Sequence, residues 1–309
     1  MRFTHYGGLS ATRDGFGVRI GGNDIQVING HGQLLTGGGV GGGLGTSFYV
    51  DGNAGVDTYD GLSWAKAVKT IAKGIELVDN DIAVHDHWDR HNSLYINGGT
   101  YTEDLVRIPE KTDIIGVGST DWRTKARIEG HCIPATAMNG CRFINMCFYV
   151  ATAHPAFTAI ASCHGISFIN CDFETNASGT YGISITSCAD YHIEGCRFYN
   201  VGGGRGFTAG IILLGSGANY NGRILNNWFF TGIGIDIDVG GLGTLIADNY
   251  FHCTTFGIDD EAKLATIINN RIVSVDVIAN AWDWTELESA GNIVTGSDDA
   301  HNVPDVTVG

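Results

Sequence analysis

The sequence predicts an all-β protein: a right-handed parallel β-helix with a short N-terminal capping helix and a Gly-rich N-terminal arm. Three observations predict it. One side-chain pattern recurs six times between residues 145 and 272, at steps of 25, 25, 31, 22 and 21 residues. Apolar residues inside each copy alternate with period two, as in Ile233, Ile235 and Ile237, which marks strands. No stretch between 140 and 280 carries helical periodicity, so a barrel or doubly wound sheet lacks its connecting helices. Short repeats without helices point to stacked coils, each supplying two or three strands.

Each copy reads as Asn or another turn residue, two variable residues, then a large apolar one. The copies are Asn145 to Phe148, Asn170 to Phe173, Gly195 to Phe198, Asn226 to Phe229, Asp248 to Phe251 and Asn269 to Ile272. Upstream apolar positions accompany most of them: Phe143, Phe168, Ile224, Ile246 and Ile267. About ten residues later comes a Gly-Ile ladder at Gly182-Ile183, Gly210-Ile211, Gly234-Ile235 and Gly257-Ile258. Coils stack about 4.8 Å apart, so like should lie on like. Cys171 should then stack near Cys196, and Cys163 and Cys188 repeat the same step. The longest step fits an insertion at a turn around Gly202-Gly203-Gly204.

The helix that closes the solenoid is placed at Trp64 to Ile75. Trp64, Val68, Ile71 and Ile75 share one face there, and Ser63 is its N-cap. An open solenoid core needs such a cover. Tyr95–Tyr101, Val106–Pro109 and Ile114–Gly118 read as the first coil. Before it lie two strand candidates, Phe16–Ile20 and Ile25–Ile28, then the glycine run from Gly37 to Gly45. That run follows no clear strand and opens no helix, so it is not read as a dinucleotide motif. The domain boundaries follow: an anchoring arm with its Gly-rich linker over 1–46, the β-helix over 47–295, and a C-terminal tail over 296–309.

Composition narrows the function. The 309 residues include 46 glycines and only four prolines, which suits many tight turns in an ordered fold. The net charge of −15 opposes binding to nucleic acid or an anionic membrane. No stretch approaches the roughly 18 apolar residues of a membrane span, and no secretory leader is read at the start. The eight cysteines are therefore expected as reduced, buried thiols.

Two segments carry a family resemblance. "FYVDGNAGVDTYDGLSWAKAVKTIAKGI" resembles the opening of many bacteriophage and cell-surface β-helix proteins, and "YINGGTYTEDLVRIPEKTDIIGVG" is similar to the first coil of the pectate-lyase-like superfamily. The Gly-Ile ladder resembles that superfamily's coil repeat, and the first residues resemble the attachment arm of phage virion proteins. The resemblance spans about residues 47–295 and implies the fold. It leaves open lyases, hydrolases, adhesins and inert virion parts.

Three constellations are candidates. The first is acidic. Asp236 and Asp259 should point outward from adjacent coils, with Asp238 over Glu261 and Asp260 beside them. Paired carboxylates can cleave glycosides or hold Ca²⁺, and a solvated acidic wall is the plain alternative. The second is aromatic. Tyr199, Trp228, Phe230 and Tyr250, with Ile212 and Leu214, should face out as a patch too apolar for a lone monomer. Subunit burial and sugar stacking both fit it, and the clustered apolar side chains favour burial. The third is His85-Asp86-His87 with His91, where no metal is expected. Cys163 and His164 should face opposite ways and form no nucleophile and base. Asn176-Ala177-Ser178 matches a glycosylation sequon.

The expected function is a non-enzymatic structural protein of a phage particle, a trimeric capsid decoration protein on the particle surface. It would contact its own copies, and through residues 1–46 the major capsid protein or another virion protein. No cofactor, nucleic acid or membrane is expected. The alternative is a tailspike-type polysaccharide-degrading enzyme working through Asp236 and Asp259, or a glycan-binding adhesin.

Overall fold

Each coil turns on residues in the left-handed backbone region. In a computed structural model of the chain, Asn145, Asn170, Gly195, Asn226, Asp248 and Asn269 all have φ between 54° and 65°. Gly, Asn and Asp tolerate that region best, which is why the repeat keeps them. A second corner uses Lys111, Gly140, Gly165, Asp190, Asn221 and Gly243, at φ between 49° and 69°. The structure describes residues 45–85, 91–118, 124–134, 138–159, 163–176, 179–204, 206–215, 219–238, 241–260, 265–279 and 292–294. Of 3–4, 9–12, 15–20, 23–29, 274–279 and 293–294 it describes the backbone.

The corners separate two long parallel sheets. One has nine strands, from Ser47–Val50 to Thr266–Ile268. The other has thirteen; its path includes Asp172–Thr175, Arg197–Asn200, Trp228–Phe229 and Tyr250–Asp260, the last with a register shift between Cys253 and Phe256. The register matches the repeat: Phe148, Phe173 and Phe198 are successive partners, as are Cys163 and Cys188. The protein is a parallel β-helix.

Stacking fills its core. Phe148, Phe173, Phe198, Phe229 and Phe251 form a ladder with centroids 4.7–5.1 Å apart and planes within 7°. Each such pair adds about 0.5–1.5 kcal/mol beyond its buried area. The ladder glycines make room for it. A Cβ at Gly210 would lie 2.5 Å from Phe229, and one at Gly234 would lie 2.3 Å from Phe251. Cys171 lies beside Cys196, whose thiol burial pushes far above its ordinary value, and all eight cysteines are buried and unbridged.

A polar ladder runs through the later coils of the same core, at the position after the corners Asn226, Asp248 and Asn269, which the repeat had left as variable. Asn227, Asn249, Asn270 and Asn292 pass amide hydrogen bonds upward at 3.0–3.1 Å. The Asn249 Oδ1 also accepts from the Asn227 backbone N–H at 2.9 Å, and its Nδ2 donates to the Ile224 carbonyl at 2.9 Å. A buried column of amides is stable only when fully satisfied in this way.

The capping helix differs from the reading over 64–75. Trp64–Lys66 is a single 3-10 turn with Trp64 exposed, and Val68 is extended and bridges Val50. The α-helix, α1, runs Ile71–His85. Two distant carboxylates fix its start. Asp57 accepts from the N–H groups of Lys69 and Thr70 at 2.7 and 2.9 Å, and Glu103 from Ile71 and Ala72 at 2.9 Å each. They satisfy the orphan donors of the first turn and oppose its positive dipole end. Ile71, Gly74, Ile75 and Val78 are buried. A Cβ at Gly74 would lie 2.7 Å from Val50 and 2.9 Å from Leu94, so α1 lies directly on the first two strands as a lid.

The two strands expected near the N-terminus are Gly15–Ile20 and Asn23–Asn29. Phe3–Thr4 and Leu9–Thr12 join them in an antiparallel meander whose strands pair only with one another. The glycine run and the tail over 296–309 lie outside the described residues, Gly45 excepted.

The two kinds of asparagine should respond differently to substitution. Asn249→Ala strands several buried donors and acceptors and should cost about 3–5 kcal/mol, at about 1–3 kcal/mol for each unsatisfied group. Asn226→Gly keeps the left-handed corner and should fall within about 1 kcal/mol of the parent. Urea denaturation checks both, and equal losses would contradict the ladder.

Candidate functional site

The outer face of the thirteen-stranded sheet carries most of the chain's unusual chemistry. Along one column, Cys147, Asp172, Arg197, Trp228, Tyr250 and Arg271 are successive partners. Tyr149, Glu174 and Tyr199 form the neighbouring column. Outward direction does not mean exposure here. The side chains of Asp172 and Glu174 are 1% and 0% exposed, because long side chains of adjacent coils lie over them.

The cover is ionic. Arg197 grips Asp172 with two hydrogen bonds, of 2.7 and 2.8 Å. Lys125, only 1% exposed, lies 3.2 Å from the same carboxylate and donates to the Asn170 carbonyl at 2.7 Å. Arg127 lies 3.5 Å from Glu174 Oε2 and sits 4.0 Å over the Tyr149 ring. That ion pair lacks hydrogen-bond geometry, and Glu174 Oε2 accepts no hydrogen bond. The Tyr199 hydroxyl donates a very short hydrogen bond to Glu174. Burial pushes the Glu174 carboxyl above its ordinary value, against the pull of Tyr199 and Arg127. Burial and the Glu174 carboxylate raise Tyr199 as well.

One coil further on, the column turns aromatic. Trp228 stacks on Phe230 at 5.7 Å and on Tyr250 at 6.5 Å, with planes within 7°, and meets Tyr199 at 6.4 Å. His252 packs edge-on against Phe230, and the Arg271 guanidinium lies 5.6 Å from the Tyr250 ring centre. Trp228 is 37% exposed, while Tyr199, Phe230, Tyr250 and His252 are half-buried. The structure thus joins four of the six patch residues. Ile212 belongs elsewhere: it is 5% exposed and sits in the column of Ser184 and Asp236. Leu214, half-buried, follows that same strand.

Asp236 and Asp259 are register partners in adjacent coils, both half-buried, as the alternation required. Asp260 is not beside them. It faces the other way, fully buried, and its carboxylate accepts from the Ala265 N–H at 3.2 Å. Glu261 lies outside the described residues, so its stacking on Asp238 does too.

Of the predicted histidine group, the two described histidines have separate partners. His85 ends α1 and bonds the Asp81 carbonyl, His91 bonds Asp113 at 2.7 Å, and His87 lies outside the described residues. Among the described residues, no group of three or more His, Cys, Asp or Glu is arranged to hold a metal. Cys163 is buried and His164 exposed, facing opposite ways. Of the sequon, Ala177 and Ser178 lie outside the described residues.

The ionic cluster was missed as a unit. Its signal was present in part, since Asp172 and Arg197 stand one repeat apart. Lys125 and Arg127 come from an earlier coil outside the six copies.

No protein-family model matches the chain, and no curated protein matches it. Among solved structures it is similar to the crystal structure of pectate lyase Pel9A, at 13% identity, over 86% of this chain and 80% of that one, with a TM-score of 0.34. Such a likeness concerns fold alone.

Glu174 gives the cluster a pH signature. Its folded pKa lies above the unfolded one, so its stabilising contribution is complete below the unfolded value of 4.5. That contribution is lost as pH rises through the folded value. The slope reaches at most about 1.4 kcal/mol per pH unit for one proton. Glu174→Gln should abolish this loss. Denaturation midpoints measured from pH 4 upward in both proteins check it; parallel curves would count against the assignment.

Proposed function

We propose that this protein is a non-enzymatic structural component of a bacteriophage particle. In this reading it is a trimeric capsid decoration protein on the particle surface. The observation that carries the non-enzymatic part is the state of the carboxylates beside the aromatic ladder. Asp172 and Glu174 are buried and held by Lys125, Arg197, Arg127 and Tyr199. Glycoside hydrolysis needs a proton donor and a second carboxylate open to the same groove. These two cannot reach a sugar chain without dismantling their own ion pairs.

Self-association is supported by the ladder. Trp228, Phe230 and Tyr250 present clustered ring surface bordered by the exposed Arg271. Aromatic clusters with a polar rim suit the buried centre of a protein interface. The N-terminal meander supports anchoring. It is a small sheet with its own pairing, a separate module available to a major capsid protein or another virion protein. The virion setting itself rests on the resemblance of residues 48–75 to the opening of bacteriophage and cell-surface β-helix proteins, and of the first residues to the attachment arm of phage virion proteins.

A second reading has one observation in its favour. Asp236 and Asp259 are outward partners on adjacent coils, a spacing at which paired carboxylates can act on a glycan. A polysaccharide-degrading or glycan-binding protein is that alternative.

Sedimentation velocity separates these readings. The intact protein should sediment as a trimer, and Trp228→Asp with Phe230→Asp should give folded monomers, as judged by circular dichroism. An intact protein that is already a monomer would sink the assembly reading. Incubation with bacterial capsule and lipopolysaccharide should release no oligosaccharide. Release that disappears in Asp236→Asn or Asp259→Asn would establish the enzyme instead.

A further inference from the structure

The nine-stranded sheet carries a notch unrelated to the aromatic face. Its outward column runs Asp113, Arg142, Ser167, His192, Arg223 and Leu245 as successive partners. Arg142 is committed to the coil before it, through two 2.6 Å hydrogen bonds to Asp113. Ser167, the next residue, is too short to fill its place. A cavity of about 370 Å³ results, lined by Ser167, Asp190, Tyr191, His192, Asn221 and Arg223.

Its floor is rigid. The Gly222 backbone lies against the buried Tyr191, where a Cβ would fall 1.9 Å from the ring. The Tyr191 hydroxyl is tied to Thr244 at 2.7 Å. Asp190 and Asn221, both at left-handed corners, are joined by a 3.3 Å hydrogen bond. His192 Nε2 lies 3.0 Å from Glu194 without hydrogen-bond geometry.

Arg223 is the exception among the arginines whose side chains are described. Arg107, Arg127, Arg142 and Arg197 each lie against a carboxylate, and Arg271 lies over a ring. Arg223 has neither partner among the described residues, in a chain with 33 acids to 18 bases. An unpaired guanidinium over a preformed polar cavity is suited to an oxyanion, which it can bind through two parallel hydrogen bonds. The Ser167 hydroxyl, the His192 ring and the Asn221 amide add donors from three coils. The Asp190 carboxylate is an acceptor. It opposes a bare anion and favours a ligand that also brings hydroxyl groups.

We propose that this notch binds the phosphate or carboxylate of an acidic monosaccharide unit, with Arg223 on the oxyanion and Asp190 on a hydroxyl. The volume sits at the lower end of the range for small-molecule sites, which suits a single sugar residue.

Isothermal titration calorimetry with four probes tests this: glucose 6-phosphate, N-acetylneuraminate, inorganic phosphate and glucose. At least one of the two acidic sugars should bind, more tightly than phosphate or glucose. Arg223→Ala should weaken that binding tenfold or more, about 1.4 kcal/mol. Arg271→Ala, on the other sheet, should leave it unchanged, and circular dichroism would verify that both variants fold. No heat from either acidic sugar up to about 10 mM would overturn the site. Unchanged binding in Arg223→Ala would overturn it too. Phosphate bound as tightly as glucose 6-phosphate would assign the notch to the bare anion and overturn the sugar.

Discussion

Every feature of this molecule answers to one constraint: each coil must repeat the backbone path of its neighbour about 4.8 Å away. The hydrogen bonds between coils are backbone bonds, so the path can repeat only if the corners do. A corner needs a left-handed residue, and the chain supplies Asn, Asp or Gly there with few exceptions. Lys111 is the costly exception, and it stands in the first coils, where the repeat is least regular. Once the path repeats, side chains have no choice of neighbour. Phe meets Phe, thiol meets thiol, and the buried asparagines become a hydrogen-bonded column rather than isolated penalties.

The same constraint acts differently outside. A column of like charges would repel along its length, so outer columns must alternate in sign, lose their charge or find partners from elsewhere. All three solutions occur. Asp172 is followed by Arg197, then by the uncharged Trp228 and Tyr250. Lys125 enters from an earlier coil to share Asp172. Placing a lysine and a carboxylate out of water together is costly unless both are fully bonded. Here the Lys125 ammonium has the Asn170 carbonyl as a further acceptor, and Asp172 has the Arg197 fork.

This explains what was legible in the sequence and what was not. Direction was legible, because period two and a constant step fix which way each side chain points; the copies ending at Phe148, Phe173, Phe198, Phe229 and Phe251 were read in correct register. Depth was not. Ile212 points outward and is still buried, since alternation carries no information about what neighbouring segments cover. Asp260 was placed with the outward acids, although it is adjacent in sequence to one of them and must therefore oppose it. The helix start was misread for a related reason. Ser63 is a favourable cap residue type but makes no side-chain cap hydrogen bond, whereas Asp57 and Glu103 hold the real N-terminus, and Glu103 stands 32 residues from Ile71. Local signals lose to distant partners wherever the fold brings a better acceptor.

A repeating surface is also a poor place for chemistry, and that bears on function. Catalysis needs unlike groups converging on one point, whereas stacking brings like groups into rows. Convergence arises where the outer residues differ from coil to coil, as in the ionic cluster around Asp172, or where the repeat is broken. The longest step, with the turn at Gly202–Gly204, separates Arg197, in the ionic part of the outer column, from Trp228, where it turns aromatic. The rings follow immediately after it, as a row, and a row is a binding or assembly surface before it is an active site. The other break is Ser167, a short side chain between Arg142 and His192, and there the groups do converge from three coils. In a solenoid each coil touches only its neighbours, so such local departures cost little elsewhere. Where the columns change their chemistry is therefore where the proposed assembly face and the proposed notch both lie on this otherwise uniform scaffold.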